Sequence, residues 1–170
     1  MTELFERVGR HADRVAFRDG TASVSYAQLL QRSERMASAL LGDKCDLAGE
    51  RIAMLVPAGA AHVVAQWAIW RAGGCAVPLN PVATAPEIDH VLRTAGVLRA
   101  LVVGKPAEAL VTACAATRVQ WIGLDALEST AARTALPELE SQRPAMIVFT
   151  SGTTGKPKGA LFTHATVAAQ

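Results

Sequence analysis

Five short apolar runs separated by helical patterns constrain this chain more than any other feature. The runs are Arg51–Val56, Cys75–Leu79, Arg99–Val103, Val119–Gly123 and Ala145–Phe149. They read as strands buried on both faces. Between them, Ala58–Arg71 is a nearly all-apolar helix stopped by Gly73-Gly74. Thr84-Ala85-Pro86-Glu87 is a capping box, with Ile88, Val91 and Leu92 facing inward. Pro106–Ala116 is a further helix, and Leu124–Gln142 is a looser connection with helical character. Strands of this kind joined by helices predict an α/β fold with a mainly parallel sheet flanked by helices. Ahead of this unit, Asp19-Gly20 sits between two short β-type runs and predicts a hairpin. Leu29, Leu30, Met36, Ala37, Leu40 and Leu41 recur at helical spacing and predict a helix over Tyr26–Leu41. The organisation expected is 1–48, hairpin and helix, then 49–170, the α/β unit.

Composition removes several function classes. Half of the 170 residues are hydrophobic and 19% are charged, which suits a globular domain. The net charge of +2 is scattered, so no basic stripe offers itself to nucleic acid. No apolar stretch is long enough to span a membrane. The N-terminus carries acids and lacks the apolar run of a signal peptide. Cys45, Cys75 and Cys114 stand far apart without metal-ligand spacing, which predicts free thiols in a reducing cytoplasm.

The chemistry is concentrated where the fifth apolar run ends. Phe149-Thr150-Ser151-Gly152-Thr153-Thr154-Gly155-Lys156-Pro157-Lys158-Gly159 gathers four hydroxyls, three glycines and two lysines. Gly152, Gly155 and Gly159 let backbone amides approach an anion without interference from a Cβ. Each amide or hydroxyl bond to a charged phosphate oxygen contributes roughly 1.5–3 kcal/mol. This is not a Walker A loop: two residues separate Gly152 from Gly155, and Pro157 follows Lys156. No GxGxxG is present, so dinucleotide binding has no support.

The loop resembles the signature of the superfamily that contains AMP-forming acyl-CoA synthetases, peptide-synthetase adenylation domains and luciferases. Thr163-His164 matches its Ser/Thr-His. Val24-Ser25-Tyr26-Ala27-Gln28-Leu29, Gly49-Glu50-Arg51-Ile52-Ala53 and the segment Arg71–Pro81 are similar to family segments in the same order. The resemblance implies the N-terminal subdomain of an adenylate-forming enzyme, acting in fatty acid metabolism. Such an enzyme joins a carboxylic acid to ATP as acyl-AMP and transfers the acyl group to CoA. It implies that Thr150, Ser151, Gly152, Thr153, Thr154, Gly155, Lys156 and Lys158 contact the nucleotide, with Thr153 on Mg²⁺. His164 is a candidate for the substrate side, and a capping or packing role stands beside it. Phe149-Thr-Ser-Gly-Thr-Thr and Pro78-Leu79-Asn80-Pro81 resemble CoA ligases more than peptide-synthetase domains. The early arrival of the loop is shared by compact ligases for short or dicarboxylic acids such as malonate, and by others.

The remaining residues have plainer readings. Trp67, Trp70 and Trp121 are expected in the core, as are Cys75 and Cys114. His62 reads as a core or edge histidine, while His11 and His90 have no partner that sequence can name. Glu87 and Asp89 suit a cap and a solvated helix face. The family's adenine-binding segment, ribose-binding aspartate and lysine-bearing C-terminal domain have no counterpart in these residues. The chain is therefore expected to be a fragment, inactive by itself. The alternative is a non-catalytic module that binds phosphate or a partner. Apolar surface left open around Leu29, Leu30, Met36 and Val167 is expected to drive self-association.

Overall fold

The computed structural model describes residues 2–19, 22–129, 131, 135–150 and 157–169. A short helix α1 (Thr2–Gly9) precedes a two-stranded antiparallel hairpin, β1 (Val15–Asp19) and β2 (Ala22–Ser25). Helix α2 (Tyr26–Leu41) follows directly. Its start is set by a reciprocal cap: the Ser25 amide donates to Gln28 Oε1 at 2.8 Å, and the Gln28 amide donates to Ser25 Oγ at 3.2 Å.

The main sheet has the order β6-β5-β3-β4-β7-β8. Strands β3 (Arg51–Leu55), β4 (Cys75–Pro78), β5 (Arg99–Val102), β6 (Gln120–Gly123) and β7 (Pro144–Thr150) are parallel where they pair. The expected parallel α/β sheet is therefore present. An antiparallel edge strand, β8 (Lys158–Thr163), extends it and leads into the short helix α7 (His164–Ala168).

Helices cover both faces. Ile52, Met54, Ala76 and Leu101 point to the side packed by α2, α3 (Ala60–Arg71) and α6 (Leu124–Glu128). Their neighbours Ala53, Val77, Ala100 and Val102 point to the side packed by α4 (Ala85–Ala95) and α5 (Glu108–Thr117). This alternation within uniformly apolar runs is what a two-sided sheet requires. At α4 the Thr84 amide and hydroxyl both donate to the Glu87 carboxylate, at 2.7 and 2.8 Å.

Two expectations about exposure are overturned. Leu29 and Met36 are 1% and 0% exposed, because α2 lies along α3 and shares its core with β3. That burial removes the motive for self-association through those residues. Trp121, expected in the core, is 43% exposed, since β6 is the edge strand at the opposite side of the sheet from β8. Cys75 and Cys114 are buried as expected, and desolvation pushes the Cys75 thiol up to about 11, so it stays protonated and inert.

An ion pair ties the base of the sheet together. Arg143 Nη1 and Nη2 donate to Asp46 Oδ2 and Oδ1 at 2.7 and 2.9 Å, and Nη2 also reaches the Gly73 carbonyl at 3.2 Å. The Arg143 hydrogen bonds hold the Asp46 carboxyl below its usual range. Gly73 has φ +81°, and a Cβ there would overlap Asp46 Oδ1, so glycine serves both the backbone and the pair.

Candidate nucleotide-binding site

Because β3, β4, β5 and β7 run parallel, their C-terminal ends lie along one side of the sheet. The sequence-identified loop leaves that side after Thr150 and returns at Pro157. Its described ends, Thr150 and Pro157, thus lie at the edge where α/β sheets place ligands. Thr150 and Lys158 are register partners at its mouth, and both are exposed. Ser151, Gly152, Thr153, Thr154, Gly155 and Lys156 lie outside the described residues.

The two ends of the motif are packed against each other. Phe149 and Gly159 face each other across the hairpin. A Cβ on Gly159 would come within 2.9 Å of Ile147 Cγ2 and 3.1 Å of Phe149 Cζ. Gly159 therefore makes room for the Phe149 ring. Sequence reasoning had given this glycine an anion-approach role. The signal that could have found the other role is the pairing of an aromatic with a glycine at opposite ends of one motif.

Beyond Phe149 stands a residue that sequence reasoning left without a partner. His90, on α4, lies edge-on to the Phe149 ring at 6.4 Å between centroids and 82° between planes. Its Nε2 donates to the Pro157 carbonyl at 3.0 Å. Pro78, Leu79, Asn80, Ile88, Phe149 and Thr150 contribute to a cavity of about 210 Å³ beside this contact. A larger concavity, about 670 Å³, lies elsewhere, lined by Arg7, Arg10, His11, Arg14 and Val167. The smaller one is lined by Thr150 and Pro157, the two described ends of the loop.

His164 is not brought to the loop. The ladder runs from Thr150↔Lys158 at the mouth to Pro144↔Thr163 at the far end, about 20 Å by ordinary strand rise. His164 sits at that far end, 2% exposed, edge-on to Trp70 at 5.8 Å. Its geometry is that of a packing residue. Desolvation pulls its pKa down to about 4 from 6.5. The unfolded chain then binds a proton below pH 6.5 that the folded chain does not bind until about pH 4. Stability conferred by the neutral ring is therefore complete above pH 6.5 and lost as pH falls toward 4. Thermal melts from pH 7 to 4.5 should show a steeper decline for the natural protein than for His164→Phe. Parallel declines would sink this assignment. His62 is half-buried, with Nδ1 2.9 Å from the Val56 carbonyl, which satisfies it as an edge histidine.

Among the described residues no group of three or more His, Cys, Asp or Glu could hold a metal ion, and no helix is long and apolar enough to cross a membrane.

Comparison with known proteins agrees with the geometry. The profile of a family described as AMP-binding enzyme matches residues 4–170. The chain is 32% identical to a mitochondrial malonate–CoA ligase of Homo sapiens, over 98% of this chain and 31% of that protein. It is 35% identical to a feruloyl-CoA synthase of Amycolatopsis sp, over 93% of this chain and 31% of that protein. Among solved structures, an o-succinylbenzoate CoA synthetase of Bacillus subtilis superposes with a TM-score of 0.82 at 29% identity, covering 95% of this chain and 33% of the other. The chain thus spans about three-tenths of the length of the CoA ligases it resembles.

Proposed function

This chain belongs to the AMP-binding enzyme family, and from that premise we propose that it forms the N-terminal part of an AMP-forming acid–CoA ligase. A carboxylate oxygen attacks the α-phosphorus of ATP, the bond to pyrophosphate breaks, and acyl-AMP forms. The CoA sulfur then attacks the acyl carbon and AMP leaves. The observation that supports this reading is the pairing of Thr150 with Lys158 at the C-terminal edge of a parallel sheet, in a chain whose relatives include CoA ligases.

In this reading the hydroxyls of Thr150, Ser151, Thr153 and Thr154 and the amides of Gly152 and Gly155 donate to the β- and γ-phosphates. Lys156 and Lys158 balance their charge. The work of these groups is to orient the triphosphate and to stabilise the charge that moves onto the leaving pyrophosphate. The described residues offer no carboxylate cluster for a metal. Mg²⁺ carried on the phosphates of ATP would have the Thr153 hydroxyl within the same loop as a protein ligand, where it would balance phosphate charge.

The test is exchange of labelled pyrophosphate into ATP by the protein as its gene encodes it. Malonate, ferulate and o-succinylbenzoate would be offered in turn, as acids named in relatives. Exchange dependent on one acid is the expected result. No exchange with any acid, together with no thermal shift on adding ATP, would leave a non-catalytic module instead.

A further inference from the structure

Pro157 has no N–H, so its carbonyl is its only backbone polar group. A carbonyl only accepts, which means that His90 Nε2 carries the hydrogen in the 3.0 Å contact. That places a hydrogen on Nε2. The same carbonyl lies in one rigid plane with the Lys158 amide, and the two point in opposite directions across a trans peptide. Holding the oxygen toward α4 turns the Lys158 N–H away from α4.

The platform that holds His90 is firm. α4 opens with the Thr84–Glu87 cap and buries Ile88, Val91 and Leu92 against the sheet. Phe149 flanks the imidazole, and Gly159 leaves Phe149 the space to do so. One side chain of a helix packed on the sheet therefore holds the returning end of the loop, from outside the loop's own sequence.

We propose that His90 is a positioning residue: through the Pro157 carbonyl it sets the orientation of the peptide from which Lys158 reaches the phosphates of ATP. The nucleotide part of this statement rests on the function proposed above. The anchoring itself does not.

Two variants separate anchoring from packing. His90→Gln keeps an N–H donor at nearly the same reach but lacks the ring. His90→Ala removes both. In the protein as its gene encodes it, His90→Ala should raise the KM for ATP roughly three- to tenfold, the usual worth of one hydrogen bond. The KM for the acid should change little, and His90→Gln should restore most of the ATP value. Two readouts need no turnover. The imidazole nitrogen shifts should report an Nε2–H tautomer, and hydrogen exchange over residues 157–160 should speed up in His90→Ala and recover in His90→Gln. An Nδ1–H tautomer would overturn the proposal, as would equal exchange in both variants and the natural protein. If the natural protein shows no use of ATP, the proposed function fails while these two readouts still decide the anchor.

Discussion

Lys158→Ala and Thr153→Ala should each slow acyl-adenylate formation by about 10²-fold, the usual loss when one preorganised donor is removed from a developing charge. The reason is local. Lys158 is exposed at the loop's mouth, opposite Thr150, on a strand whose partner β7 is embedded in the sheet. The backbone that carries the ammonium is therefore held in the sheet. The thiol step should be affected far less, because pyrophosphate has left before CoA attacks. Single-turnover measurement of each half-reaction separates the two. An adenylation rate unchanged in both variants would refute the roles given to Thr153 and Lys158.

Trp70→Ala should destabilise the fold by about 3–5 kcal/mol, the range for truncating a buried aromatic. Trp70 is 4% exposed at the end of α3. Its Nε1 donates at 2.7 Å to the carbonyl of Ala145, which is itself fully buried. Truncation therefore opens a cavity and also strands a buried acceptor, which alone costs about 1–3 kcal/mol. Trp70→Phe keeps most of the volume and loses only the donor, so it should fall between the natural protein and Trp70→Ala. Urea unfolding monitored by circular dichroism would measure both. A loss under about 1 kcal/mol for Trp70→Ala would show that this corner repacks freely. The effect reaches function because Ala145 lies near the start of β7, the strand that leads into the loop. A chain with the usual few kcal/mol of margin would lose the site along with the corner.

Much of this molecule is legible in its amino acids. The helix over Tyr26–Leu41 is bounded by Ser25 and Gly42, residues whose side chain or backbone freedom ends a helix locally. The runs at Arg51, Cys75, Arg99, Gln120 and Pro144 form strands because they are apolar and bounded by helical segments, which needs no knowledge of their neighbours. The loop was recognisable for the same reason: hydroxyls, glycines and lysines crowded into one short stretch carry their chemistry with them.

What the linear order did not reveal depends on residues far apart in it. The burial of Leu29 and Met36 followed from α2 meeting α3, a contact between segments that only the packed sheet brings together. The exposure of Trp121 followed from strand order, since the same run would be buried one place further in. His164 is five residues past the motif in sequence, but the antiparallel return of β8 carries it to the opposite end of the hairpin ladder. His90 is 67 residues from Pro157 and became its partner through the packing of α4 beside the hairpin. Local propensity and composition act over a few bonds, so sequence alone determined the elements and marked out the loop. Which side chains support that loop was decided by the tertiary structure, because a hydrogen bond depends on distance in space rather than along the chain.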